Sequence, residues 1–332
     1  MSVSFLRRRP TVGVDLGTSS FRLCRHDSNR IVLLPAVIAM NTRNSDIVAT
    51  GEDAARMLGR TPAGLAAACP MQNSAVADFD LAVLLTRELF RRGEIGRGWQ
   101  RPLVLLGVPD GLTEMEKQTL ADVITDAGAR VAGIVPQPFA AAAAAGAGRR
   151  TDDYRGQLLV DVGGGTSKTA LLSHGSIAAS QMGRVAGDEF DRAIVQYLRG
   201  RYGLVIGEQT ARRLKTEIGV AYAGIDRGSR TVGGRSVESG LAAEMTVTSA
   251  DLCEALRKPL LTLLQQIRTT LEAVPPELSA DVSGRGLLLC GDSARIPGFA
   301  KSIANGVGVR VNTPQDPGTY VIRGLQNLIQ EE

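Results

Sequence analysis

Apolar and polar positions alternate along this chain between short strand-like runs and longer helical stretches. The first run, Val12-Gly13-Val14, ends in Asp15 and a turn through Gly17-Thr18-Ser19. A second run follows, with apolar positions at Phe21 and Leu23. That pattern predicts strand, acid, tight turn, strand. A third short strand is expected at Ile31–Leu34, closing on Pro35. Residues 41–75, rich in Ala, Gly, Asn and Arg, read as a small insertion, bounded at about 35–75. Helical periodicity covers Leu81–Arg92. The loop 93–101 then leads to a buried-type strand, Leu103–Val108. Thr113 with Glu116 three residues on forms a capping-box pattern, and the helix it opens should close at Gly128. A strand at Gly133–Val135 runs through Pro136-Gln137-Pro138 into the alanines 140–145, which favour helix and allow close packing on a neighbour.

The same plan then returns. Val160-Asp161-Val162-Gly163-Gly164-Gly165-Thr166 repeats the acid and the glycine turn, and Ala170-Leu171-Leu172 supplies the following run. A return strand is expected near Ile177–Gln181, then helices at 187–202 and 208–219. A polar, Gly- and Arg-rich stretch at 224–248 reads as part of a second insertion, about 183–248. Ser249 is expected to cap a long helix reaching about Ala273, which Pro259 must kink or break. A strand at Gly286–Cys290, the turn Gly291-Asp292-Ser293 and a helix near 320–329 complete the pattern. The polar stretch 149–156 marks the expected boundary. It gives halves 1–150 and 151–332, with the last helix packing back on the first half. Alternating strands and helices predict an α/β protein whose mixed sheets are covered by helices.

Composition narrows the options. The 332 residues are 44% apolar, 22% charged and 4% aromatic, an ordinary globular profile whose core must rest on aliphatic side chains. The four cysteines, Cys24, Cys69, Cys253 and Cys290, are scattered without CxxC spacing, as expected of small buried hydrophobes in a reducing cytoplasm. Two histidines, His26 and His174, argue against a zinc site or a His-based triad. No apolar run reaches the roughly 18 residues of a membrane span. At the N-terminus the arginines 7–9 follow apolar residues, the reverse of a secretory signal. The net charge is a mild +4, with arginines clustered at 7–9, 91–101 and 227–235. Such clusters suit an anionic lipid surface or are simply solvated faces. Without interleaved aromatics, nucleic acid is not an expected partner.

The repeated hairpin carries the chemistry. Glycine lets backbone N–H groups approach a phosphate, and successive N–H groups in a turn form an anion-binding nest. Asp15 and Asp161, each near the end of a first strand, are placed to face a hydrated Mg²⁺ held between two halves. One copy of such a turn is commonplace, whereas two in equivalent contexts suggest a clamp on a nucleotide.

Several segments resemble the actin-type ATPase superfamily, and within it the bacterial actin MreB family. Val12–Thr18 and Val160–Thr166 resemble its two phosphate motifs, which sugar kinases and heat-shock chaperones share. Gly107-Val108-Pro109, 183–191, 202–208, Lys215-Thr216-Glu217-Ile218-Gly219 and 275–281 are similar to MreB segments in the same order. The resemblance implies an actin-like fold, with two ribonuclease-H-like α/β halves facing across a nucleotide cleft, each with a small inserted subdomain. It implies ATP and Mg²⁺ in the cleft, with Asp15 and Asp161 toward the metal. The backbones of Gly17, Thr18 and Ser19, and of Gly163, Gly164, Gly165 and Thr166, would cradle phosphates. Lys215 and Glu217 would lie near the ribose, and Gly291 and Asp292 near the adenine. It further implies filaments of the protein with itself beneath the inner face of the cell membrane, directing cell shape and wall synthesis. Expected partners include another MreB-type protein and cell-wall synthesis proteins.

Three positions depart from the family pattern. An acidic pair before the proline that opens the Ala-rich helix is replaced by Pro136-Gln137. In that family an acidic residue there positions the attacking water; an amide at Gln137 can orient a water, since it both donates and accepts, but it sits one position late. Gln137, with Asp161, is the candidate catalytic residue, or else both replaced positions are merely helix-entry residues. Asp292 and Ser293 stand where further glycines are usual, narrowing the base side and adding negative charge. Arg212-Arg213 stands where an acidic residue followed by Arg is common, either altering the nucleotide contact or forming a solvated face. ATP binding with slow or lost hydrolysis is the resulting expectation. Phe5, Leu6 and Trp99 are candidate membrane contacts, Trp99 alternatively packing on its own domain. Rival readings are a non-polymerising regulator that co-assembles with a typical MreB, a small-molecule kinase, and a chaperone-type ATPase. For the last, the expected terminal helix near residue 332 leaves no room for a substrate domain.

Overall fold

The computed structural model describes residues 11–95, 101–146 and 155–330. The first sheet begins as a meander of β1 (Val12–Leu16), β2 (Ser20–Arg25) and β3 (Ser28–Pro35). A small module follows: β4 (Ile38–Asn41), β5 (Ile47–Thr50), α1 (Glu52–Met57) and β6 (Leu65–Ala68), its three strands ordered β5-β4-β6. β7 (Met71–Gln72) and β8 (Ala75–Val76) form a tight pair whose turn residues Asn73 and Ser74 both have positive φ, as a type I′ hairpin requires. After α2 (Phe79–Arg92), β9 (Leu103–Val108) returns to the sheet parallel to β1. α3 (Glu114–Asp126) opens with the expected capping box between Thr113 and Glu116. β10 (Arg130–Pro136) completes a sheet ordered β10-β9-β1-β2-β3, and α4 (Gln137–Ala144) starts directly at its end.

The second sheet copies the first. β11 (Gln157–Val162), β12 (Ser167–Ser173) and β13 (Ser176–Gly183) form a meander. α5 (Gly187–Tyr202), β14 (Leu204–Val205), α6 (Glu208–Ile218), β15 (Ser229–Ser236) and β16 (Ala242–Thr248) build the second small module. α7 (Ser249–Glu272) follows, then α8 (Pro276–Arg285), β17 (Leu287–Cys290), α9 (Phe299–Val307), β18 (Val311–Asn312) and α10 (Tyr320–Gln330). The order β13-β12-β11-β17-β18 matches β3-β2-β1-β9-β10 strand for strand.

Two departures from the sequence pattern concern α7. Its cap is Thr248, one residue before the expected Ser249, with a capping box to Asp251. Of the two outcomes expected at Pro259, the break does not occur, because the helix continues through it. Leu252, Leu256, Leu260, Leu263 and Ile267 are all buried along one stripe, and that burial outweighs the single backbone hydrogen bond the proline removes.

Each half has its own aliphatic core, and a third core joins them. In this seam α4 packs on β11 and β12 of the second sheet, while α10 packs on β1, β2 and β9 of the first. The two helices also pack on each other, through Ala140–Ala143 and Leu325. The approach is so close that a β-carbon on Gly324 would collide with the Ala140 carbonyl oxygen. This seam sets the β1–β2 and β11–β12 turns face to face.

Candidate functional site: a cleft between two hairpins

Asp15 lies in β1 and Asp161 in β11, each central in its sheet. Both are flanked by a parallel strand on one side and the second hairpin strand on the other. The turns that follow meet across the cleft. A β-carbon on Gly164 would collide with Ser19 Oγ, and one on Gly165 would stand 2.7 Å from Thr18 Oγ1. Ser74 bridges the turns: its backbone N–H donates to Thr18 Oγ1 at 2.9 Å, and its hydroxyl lies 2.7 Å from Thr166 Oγ1. Ser74 has no signal in the sequence, because it reaches the cleft only through the β7–β8 turn.

Two adjoining spaces result, sharing Ser19, Gly163, Gly164 and Asp292 in their walls. The smaller, about 50 Å³, lies between the hairpins beside Asp15, Asp161, Arg22, Lys168, Gln137 and Gly291. The larger, about 380 Å³, continues from Gly163 and Gly164 past the start of α5 and the face of α6 to Ser293 and Ile296. That volume falls within the usual range for small-molecule sites. The second turn is held in place by hydrogen bonds to its carbonyls. Gly187 N–H donates to Gly163 O at 3.0 Å, Asp188 N–H to Gly164 O at 2.8 Å, and Ser293 Oγ to Gly163 O at 3.1 Å.

Most expected site residues are brought together here: Asp15, Gly17, Thr18, Ser19, Gln137, Asp161 and the residues of the second turn line the smaller space. Gln137 is 4% exposed. Its Nε2 donates to Asp15 Oδ1 at 2.7 Å, while its Oε1 has no partner among the described residues. It therefore enters the cleft despite following Pro136. Gly291, expected near a base, instead borders the smaller space, where a β-carbon would collide with the Val162 carbonyl and with Asp161. Asp292 is shared between the two spaces, and its charge is met by Arg22 at 2.8 Å.

On α6 the outcome is split. Lys215 lines the larger space and is paired with buried Asp191 at 2.6 Å. Burial lowers its ammonium pKa, against the pull of Asp191. Arg212, one turn earlier, lines the same space and binds Asp191 at 2.9 Å and Asp188 at 2.7 Å, so it is not merely a solvated face. Glu217 does not reach the cleft. Two residues beyond Lys215 it points to another side of the helix, where it pairs with exposed Arg230 at 3.0 Å. Phe5, Leu6 and Trp99 lie outside the described residues.

The donor set does not fit the expected Mg²⁺. Both oxygens of Asp15 are already engaged, Oδ1 by Gln137 and Oδ2 by Arg22 at 3.3 Å. Asp161 Oδ2 faces Lys168 Nζ at 3.6 Å. Among the described residues, no group of three or more His, Cys, Asp or Glu is placed to share a metal ion. Burial pushes the Asp15 carboxyl above its ordinary value of 3.8, opposed by the charges of Arg22 and Lys168. The sequence holds a signal for these cations: a basic residue follows each Asp at the same seven-residue spacing.

The chain is similar to known proteins along nearly its whole length. Residues 9–332 match the family model described as MreB/Mbl protein. The cell shape-determining protein MreB of Escherichia coli (strain K12) is 34% identical over 319 residues, covering 94% of this chain and 91% of that protein. The cell shape-determining protein Mbl of Bacillus subtilis (strain 168) is 30% identical over 313 residues, covering 94% and 93% respectively. The crystal structure of MreB 5 of Spiroplasma citri bound to AMPPNP superposes with a TM-score of 0.88 at 30% identity, covering 96% of this chain and 95% of that one.

Proposed function

Because the chain belongs to the MreB/Mbl family and has an actin-like fold, we propose that it is a cytoskeletal protein that binds ATP between its two hairpins and assembles with itself into filaments. The observation that carries this reading is the adjacency of the two spaces in the cleft. Two glycine turns line the smaller space, which adjoins a second one large enough for a nucleoside. The AMPPNP bound to MreB 5 of Spiroplasma citri supports it. The match across residues 9–332 supports it over a small-molecule kinase or a chaperone-type ATPase.

In this reading the backbones of Thr18, Ser19, Gly164, Gly165 and Thr166 hold the phosphates, because the expected N–H groups of Gly17 and Gly163 donate to Ser20 O and Thr166 O within their own turns, and Lys215 with Arg212 borders the sugar. Gln137 Oε1 accepts a hydrogen bond from the attacking water, but an amide cannot take the water's proton, so hydrolysis is slow. Membrane contact through Phe5, Leu6 and Trp99 places the filaments at the inner face of the cell membrane, next to cell-wall synthesis proteins. Among the described residues no helix is long and apolar enough to cross a membrane, which agrees with a peripheral contact.

Electron microscopy of the purified protein with ATP, with ADP and without nucleotide tests the main reading. Filaments that require ATP are expected, and their absence in all three samples would overturn self-assembly. Phosphate release slower than that of Escherichia coli MreB assayed alongside is expected; equal turnover would refute slow hydrolysis. Pelleting with anionic liposomes is expected to fail when Trp99→Ala is combined with deletion of residues 2–9.

A further inference from the structure

Each carboxylate at the end of a first hairpin strand has a cation directly across the ladder. Asp15 is in register with Arg22, and Asp161 with Lys168. Directly opposite residues in an antiparallel pair project from the same face, and here all four side chains line the space between the hairpins. None is more than 12% exposed. Buried cations are unfavourable unless charge or ligand compensates them. Two of them in equivalent places, one on each copy of the hairpin, form a matched device.

Their carboxylates do not use them fully. Arg22 reaches Asp15 and Asp292 through its two terminal nitrogens, while its buried Nε has no partner among the described residues. Lys168 Nζ, at 3.6 Å from Asp161, is beyond hydrogen-bond reach and makes no hydrogen bond among the described residues. The Lys168 head therefore retains its donors while lining the space between the two turns, and Arg22 lines the same space. A polyphosphate placed between two carboxylates needs positive charge to offset the repulsion. A divalent ion would bring two charges, and these side chains bring the same two, fixed to the two strands. A metal entering beside them would meet like charges and an Asp15 with no free oxygen.

We propose that Arg22 and Lys168 take the place of a divalent cation, so that the cleft binds the phosphates of a nucleoside di- or triphosphate without metal. The inference rests on the nucleotide-binding reading above and adds how the charge is balanced. Lysine supplies a compact point charge and arginine a fork able to bridge groups. The pair thus divides the task, with Lys168 gripping phosphate while Arg22 also holds Asp15 and Asp292.

The test is binding of a fluorescent ATP analogue to the full chain, followed by anisotropy in excess magnesium chloride and in excess EDTA. Affinities that agree within about threefold are expected for the native protein, because charge-assisted donors from the protein replace the ion. Lys168→Gln should bind about tenfold more weakly in EDTA and recover in magnesium, since removing the lysine admits the metal to Asp161. A purely structural role for Lys168 would weaken binding equally in both buffers, and that result overturns the proposal. Binding of the native protein in magnesium that vanishes in EDTA also overturns it, while leaving the nucleotide reading intact. No binding in either buffer sinks both. The native comparison needs no variant, so it decides the matter even where Lys168→Gln misfolds.

Discussion

Arg22 and Lys168 occupy the same place in two copies of one hairpin, yet they reach differently. Arg22 spans the cleft, binding Asp15 on its own sheet and Asp292 on the turn after β17. Lys168 stays over Asp161 within its own hairpin. One backbone plan thus carries a strap on one side and a single charged head on the other. The difference follows from head-group shape: a planar fork satisfies two carboxylates at once, whereas an ammonium serves as a point charge. Gln137 deepens the asymmetry, because it holds Asp15. Among the described residues, no side-chain hydrogen bond to Asp161 mirrors it.

The largest expected effect tests the strap. Arg22→Met should cost about 3 kcal/mol of stability in urea unfolding at neutral pH, because it leaves buried Asp15 without its cation. Lys168→Met should cost less, since it breaks no hydrogen bond; equal losses would erase the distinction. The Arg22→Met deficit should also depend on pH. The folded carboxyl of Asp15 already lies above 3.8, and losing Arg22 raises it further. A raised acid favours the folded state at low pH and loses that contribution as pH rises through the folded value. The gap from the native protein should therefore narrow on acidification and widen toward neutrality.

Next in size is the close approach of the two turns. Gly164→Ala should cost about 2 kcal/mol and weaken nucleotide binding, because its β-carbon cannot coexist with Ser19. Gly163→Ala, whose β-carbon comes no closer than 3.6 Å to Thr166 O, should be far milder. Gln137→Ala should cost about 1 kcal/mol for the lost hydrogen bond to Asp15 and reduce phosphate release to background. The smallest effect is expected at Glu217→Ala: within about 0.5 kcal/mol for an exposed pair, with nucleotide affinity unchanged. A clear loss of affinity there would return Glu217 to the site.

Much of this architecture is legible in the residues. The two Asp–glycine hairpins, the Thr113–Glu116 capping box and the alanine helix follow from local chemistry, and the structure realises each. What escapes depends on register or on distant contacts. The basic residues opposite Asp15 and Asp161 look like ordinary polar positions, because a linear reading of the turn stops at its threonine. Arg22 and Lys168 become partners only when the strands fold back. Ser74 depends on a separate hairpin. Glu217 follows Lys215 closely in sequence, but helical rotation turns the two apart. Pro259 kinks or breaks a helix by local propensity alone, and only the buried stripe along α7 rules out the break.

The seam adds a constraint on how the molecule is made. α10 covers one face of the first sheet, burying Leu325 and Ile329 in the same core as Cys24 and Leu105 of that sheet. α4 does the same service for the second sheet. Each half therefore completes its interior with a helix encoded beside the other. As the chain emerges from the ribosome, the sheet that is synthesised first must wait, one face open, until the second sheet and then α10 have followed it.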